Sequence, residues 1–214
     1  GWLSLLLAMN YGLIDSDDLA SQYISAWNND PQKARSTIRQ LATHTSGVED
    51  AEQDDLPHNK LPGWKGAFWR RDPNPFSIAI HQAPIIFEPG TRYAYSNPGM
   101  AALSYAVTAS LQGSALPDIR ALLEERIMQP LGIQTTAWSL GYGHAYETDG
   151  LSLYANWGGA AFTPRAAAKL ASLMLNRGEW SHRQLIARRW IDRALEYAGT
   201  PLTHGPRDGH ARAS

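Results

Sequence analysis

Two short stretches hold side chains whose types and spacing could do chemistry. In "RYAYSNPG", residues 92–99, Tyr95 stands two places before Asn97, and in "LATHTSG", residues 41–47, His44 stands two places before Ser46. A phenol can pass a proton, but only with help. A free tyrosine ionises near pH 10, so a Tyr95 base at neutral pH needs roughly 3 units, or about 4 kcal/mol, of preferential stabilisation of the phenolate. A close cation would supply that, and the sequence does not orient Arg92, three residues away, to be one. Asn97 has a simpler reading. An Asn followed by Pro98 is a good helix start, with the Asn side chain accepting from an orphan N–H and Pro tolerated at the first helical position. Capping accounts for Asn97 and leaves Tyr95 unexplained.

Other chemistries lack their residues. There is no cysteine, hence no thiolate nucleophile, no disulfide and no Cys-based zinc site. The seven histidines show no H-E-x-x-H, so no metal site is read, and no cofactor is implied. Neither a G-x-x-x-x-G-K-[ST] nor a G-x-G-x-x-G phosphate loop occurs, and no G-x-S-x-G elbow. The carboxylate pairs Asp54/Asp55 and Glu124/Glu125 read as solvated faces, because adjacent side chains diverge on a helix or strand. Nineteen basic against twenty acidic residues leave a net charge of -1, so no overall field draws the chain to nucleic acid or an anionic membrane. Small polar substrates of either sign fit this balance. No apolar run reaches the length of a membrane span, and oligomeric state is not legible.

The elements that must position these residues are mostly helical. "GWLSLLLAMNYG" is apolar from its first residue and reads as the body of a buried helix, and "THGPRDGHARAS" as a tail without periodicity. The chain is therefore read as an internal piece of a longer protein. Ser16 reads as the cap of a short helix carrying Asp17 and Asp18 in its first turn. A helix from Pro98 to Gly113, one carrying Ile119, Leu122, Leu123 and Ile127 and stopped by Pro130, and one capped by Thr163 and ended by Gly178 follow from their periodicity and punctuation. The Thr163 helix should bury Ala167, Leu170, Ala171 and Met174. A last amphipathic segment, roughly 187–198, groups Ile191, Ala194, Leu195 and Ala198. Strand candidates are "PIIFEPG", "RYAYS" and "TAWSLGYG", and the Asp-Gly pairs at 149 and 208 do not read as hairpin turns. Residues 48–84 read as a long ordered loop with one helical turn at most.

Taken together, "YGLIDSDDLASQYI", "THTSG", "PGTRYAYSNPG", "IMQPLGI", "WGGAAFTPRAAAKLASLMLNRGEW" and "LIARRWIDRALEYAG" resemble, in order, the serine hydrolases that include class C β-lactamases, penicillin-binding DD-peptidases, esterases and nylon-oligomer hydrolases. The resemblance implies an α+β, β-lactamase/transpeptidase-like fold, with residues 1–214 a single partial domain represented mainly by its helices. It also implies hydrolysis of an amide or ester through an acyl-serine. Members use a Ser and Lys in S-x-x-K, a Tyr-x-Asn motif and a third motif on a sheet strand. Tyr95-Ser96-Asn97 matches the second, which gives Tyr95 as the catalytic proton acceptor and donor and Asn97 as a substrate contact. Trp157 and Gly158 are further substrate-binding candidates. Trp64, Trp69 and Trp138 could also wall a pocket, although packing is the plain reading of any Trp. His44 and Ser46 fall in what the family uses as a structural turn. S-x-x-K is absent from the sequence and should end within about three residues before Gly1, by analogy with the family's spacing. The piece alone should then be inactive. Family members are often periplasmic or secreted, but no signal region is present from which to assign a location. The alternatives are a non-catalytic binding homologue of the same fold and an unrelated helical interaction protein.

Overall fold

The computed structural model describes residues 2–53 and 56–196. Its centre is helix α5 (Asn97–Ser110), preceded in the chain by α1 (Trp2–Asn10), α2 (Ile38–Ala42), α3 (Gly63–Arg70) and α4 (Pro75–His81). It packs against α1, α2 and α4, and against α6 (Ile119–Leu123). α5 is buried from Asn97 through Thr108, as expected of a helix apolar on every side. Its few polar groups are satisfied: Ser104 Oγ donates to the Tyr154 carbonyl at 2.8 Å and Thr108 Oγ1 to the Ser104 carbonyl at 2.9 Å. Gly99, Ala101, Ala102 and Ala106 keep its profile narrow, so neighbours approach closely.

The start of α5 corrects the sequence reading. Ser96, not Asn97, is the N-cap, its hydroxyl accepting from Gly99 N at 2.9 Å. Asn97 is already inside the first turn, and its side chain is released for other work.

Several other expectations change. Residues 15–36 form no α-helix but three 3₁₀ turns, at Ala20–Gln22, Ser25–Asn29 and Lys33–Arg35. Local carboxylate bonds compete with helix here: Asp17 N donates to Asp15 Oδ1 at 2.9 Å and Asp15 N to Asp18 Oδ2 at 2.7 Å. The supposed loop 48–84 contains α3 and α4. Proline reads as a breaker from sequence, yet Pro75 opens α4 behind the Asn74 cap. Gly66 is needed inside α3, because a Cβ there would lie 2.0 Å from the Leu61 carbonyl oxygen.

Of the strand candidates, only Trp138–Ser139 (β1) is a strand, paired with Ala161–Phe162 (β4). "PIIFEPG" makes one isolated bridge, Val48 with Ile85, and "RYAYS" is extended without strand pairing. The Asp149-Gly150 pair does close a hairpin, between β2 (Ala145–Thr148) and β3 (Leu151–Tyr154), with both turn residues at positive φ. The flanking pattern is weak because only Tyr146 on β2 faces inward. That turn is tied to α5 by Tyr105, whose hydroxyl donates to Asp149 Oδ2 at 2.8 Å.

Beyond α6 the helix widens into a π segment, Glu124–Met128. Helix α7 (Pro164–Leu175) has the expected Thr163 cap, and of its expected face Leu170 and Met174 pack half-buried against the core, but Ala167 and Ala171 are exposed while Ala166 and Leu173 are buried. A small hairpin, β5 (Glu179–Trp180) with β6 (Arg183–Gln184), leads to α8 (Arg188–Leu195). In α8 Ile191 is buried and Leu195 is exposed. Ala198, the Asp-Gly pair at 208 and the carboxylate pair Asp54/Asp55 lie outside the described residues. No helix among the described residues is long and apolar enough to cross a membrane.

Candidate active site

Tyr95 is placed by two chain segments that run together. After the Thr37 and Gln40 capping box starts α2, the chain leaves that helix through His44, whose φ of 57° turns it sharply. Residues 44–49 are then zipped to 84–94: Ala94 N donates to the His44 carbonyl at 2.8 Å, Gly90 N to Thr45 O at 2.7 Å, Ile86 N to Gly47 O at 2.9 Å and Glu49 N to Pro84 O at 2.9 Å. Gly47 is required there, since a Cβ would sit 2.3 Å from the Phe87 carbonyl oxygen.

His44 holds Tyr95 from both sides. Its main-chain oxygen takes Ala94 N, its Nδ1 accepts from Ser96 N at 3.2 Å, and its ring stacks on the Tyr95 ring at 4.5 Å between centroids. Accepting at Nδ1 puts the single proton of a neutral imidazole on Nε2. Burial pushes the His44 pKa down from 6.5 to about 4, against a smaller opposing pull from Asp50, so the ring is neutral at physiological pH.

The Tyr95 hydroxyl donates to Asn97 Oδ1 at 3.4 Å. Asn97 in turn gives both its main-chain N and its Nδ2 to Asp50 Oδ1, each at 2.9 Å. Burial, then Asp50, Glu52, Tyr93 and Tyr142, all raise the Tyr95 pKa, so the phenol keeps its proton. Arg92 does not lower it, because its guanidinium lies over the Phe87 ring, 4.4 Å from the centroid.

The other candidates belong to the segment that follows β3. Trp157 is half-buried, packed against Phe68 at 5.1 Å and Phe76 at 5.2 Å between ring centroids. Gly158 and Gly159 seat the ring of Tyr142: a Cβ on Gly158 would lie 2.5 Å from the Tyr142 hydroxyl, and one on Gly159 2.3 Å from its Cγ. The opposite face of that ring carries the Arg71 guanidinium, 3.9 Å from the centroid. Tyr142 is also among the groups that raise the Tyr95 pKa. The remaining tryptophans have local duties: Trp69 Nε1 donates to the Ala51 carbonyl at 3.1 Å, Trp138 Nε1 to Glu124 Oε2 at 3.2 Å, and Trp64 lies beside Lys65. Ser46 Oγ accepts from Val48 N at 3.4 Å. Among the described residues no group of three His, Asp or Glu side chains is placed to hold a metal ion.

Sequence reasoning did not find Asp50, Tyr142 or Arg71. Asp50 belongs to a stretch read as loop, and Tyr142 and Arg71 adopt positive φ, which nothing in their residue types announces.

The candidate site is therefore a tyrosine and an asparagine at the start of a buried helix, joined by hydrogen bonds to Asp50 and stacked on His44. Residues 2–209 match the Beta-lactamase family model, and the chain belongs to that family. It is 28% identical over 136 residues to an Escherichia coli O157:H7 protein described as a "Putative D-alanyl-D-alanine carboxypeptidase", covering 61% of this chain and 29% of that one. Among solved structures it resembles a D-stereospecific amidohydrolase from Streptomyces sp. (TM-score 0.65, 19% identity, 92% of this chain and 62% of that one). It also resembles a penicillin-binding protein from Bacillus halodurans (TM-score 0.58, 21% identity, 92% and 60%). The fold is thus β-lactamase-like, of the α+β class, and an unrelated helical interaction protein is ruled out. The chain spans under a third of its curated relative and about three-fifths of these two solved structures.

Proposed function

We propose that this chain is part of a single serine hydrolase domain that cleaves amide or ester bonds of small molecules through an acyl-serine, with Tyr95 moving the proton and Asn97 contacting the substrate. The observation that carries the reading is the Tyr95 hydroxyl directed at Asn97 while its ring is clamped by His44. Serine attack on the carbonyl forms the acyl bond as the serine proton passes to the Tyr95 and lysine pair. That proton then goes to the departing amine or alcohol, and water releases the acid.

Two features support this assignment. The first turn of α1 shares an apolar groove of about 280 Å³ with Ala42 and Thr43, the residues just before His44. The start of α1, before which the S-x-x-K is expected, and the residues leading into His44 thus line one groove. Second, the groups acting on Tyr95 all disfavour phenolate, and a lysine cation one turn beyond that serine is the counterweight the chemistry requires. With no S-x-x-K in its sequence, the chain by itself should not turn over substrate.

The test is hydrolysis of activated esters, β-lactams and D-amino-acid amides by the protein carrying this chain with its preceding sequence, compared with its Tyr95→Phe variant. Loss of at least about 100-fold in kcat is expected, the low end of a general acid–base contribution. Unchanged turnover would remove Tyr95 from the mechanism, and no turnover in the unaltered protein would favour a binding homologue of the same fold.

A further inference from the structure

We propose that Asp50 is the positioning residue of the Tyr95 and Asn97 pair: one carboxylate oxygen grips both nitrogens of Asn97 and thereby decides which end of its amide meets the Tyr95 hydroxyl. Calling the pair catalytic rests on the function proposed above; the positioning itself rests on geometry alone.

An asparagine amide has a donor end and an acceptor end, and rotation by a half turn exchanges them. An ionised carboxylate only accepts. Asp50 Oδ1, 2.9 Å from Asn97 Nδ2, therefore fixes the NH₂ toward itself and leaves Asn97 Oδ1 for the phenol. The Tyr95 proton is engaged along that line, so the phenol lone pairs stay available to accept from a reacting hydroxyl. The second bond, from Asn97 N at 2.9 Å, anchors the same carboxylate to the first turn of α5, where an acidic group is favoured by the helix dipole.

Asp50 is itself held rigidly. Glu49 N donates to Pro84 O at 2.9 Å, the Ala51 carbonyl takes Trp69 Nε1 at 3.1 Å, and the Glu52 carbonyl takes Lys65 Nζ at 3.2 Å. Three residues flanking Asp50 are thus pinned by separate parts of the fold, as precise aiming of one side chain requires. The groups acting on Tyr95 are His44 at the end of α2, Asp50 and Glu52 on this segment, Tyr93 beside it and Tyr142. Of these, Asp50 is the one that also bonds Asn97.

The experiment uses the protein carrying this chain with its preceding sequence, with ¹⁵N throughout and ¹³C at the tyrosine ζ carbon, in Asp50→Ala, Asp50→Asn and Glu52→Gln forms. In Asp50→Ala the Asn97 main-chain N–H should exchange about tenfold faster or more, the loss of a hydrogen bond to a charged group, and Tyr95 should ionise at lower pH. Asp50→Asn keeps an acceptor but not the charge, so it should keep most of the exchange protection while still lowering the Tyr95 titration. Glu52→Gln should lower that titration without touching Asn97 exchange. Wild-type exchange in a folded Asp50→Ala variant overturns the proposal. If that variant does not fold, an unchanged Tyr95 titration in Asp50→Asn overturns it instead. Neither readout needs turnover, so a failed Tyr95→Phe assay would sink the proposed function and leave this result standing.

Discussion

The rings of His44 and Tyr95 lie face to face, 4.5 Å between centroids and 27° between planes, while the His44 main chain and Nδ1 hold the residues on either side of that tyrosine. One residue thus fixes the backbone and the ring plane of the candidate proton carrier. It does so as a neutral, buried imidazole, which ties the site to pH.

A pH dependence of stability follows from His44. Its folded pKa of about 4 lies below its ordinary 6.5, so between those values the unfolded chain binds more protons than the folded one. Stability from this group is complete above pH 6.5 and is lost as pH falls through the window, by about 3 kcal/mol in all. Urea unfolding at pH 7 and pH 4 checks it. His44→Asn tolerates the left-handed backbone and keeps an acceptor for Ser96 N, so it should remain folded while this part of the pH slope disappears. A slope identical to wild type would contradict the assignment.

Ser96 and Asn97 should separate into two roles. Ser96→Ala removes the cap of α5 and should cost about 1 kcal/mol in denaturant unfolding, with the Asn97 contacts to Asp50 retained. Asn97→Ala keeps the cap but leaves Asp50 Oδ1 without the side-chain donor and Tyr95 without its acceptor. Its signature is a changed Tyr95 titration, which Ser96→Ala should not produce. Equal effects on that titration would mean the cap and the site are not distinct.

Gly159→Ala should dislodge Tyr142. The added Cβ would fall 2.3 Å from the Tyr142 ring at a residue whose φ is 71°, and a loss of about 1–3 kcal/mol is expected from overpacking. A double-mutant cycle with Tyr142→Ala isolates the clash from the backbone strain, because only the clash disappears when the ring is removed. Additive losses would show that the ring and the glycine are not pressed together as described.

The sequence by itself determined the family, the helices with strong punctuation and the Tyr95-Ser96-Asn97 motif. These are local patterns: a Thr163 cap with Pro164, a Gly178 stop, a run of small and apolar residues after Pro98. Where two readings were locally equivalent, tertiary contacts decided. Ser96 is the cap, and Asn97, one place into the helix, instead gives both its nitrogens to Asp50, 47 residues earlier in the chain. Ala166 and Leu173, not Ala167 and Ala171, join Leu170 and Met174 on the packed side of α7, because that side is set by what it packs on and not by alanine spacing. Asp149-Gly150 became a hairpin because α5 supplies Tyr105 to hold the turn. The placement of His44, Asp50 and Tyr142 around Tyr95 was likewise beyond the sequence. Hydrogen bonds and ring contacts between distant segments depend on backbone turns, several at positive φ, whose cost is met only once the surrounding structure has formed.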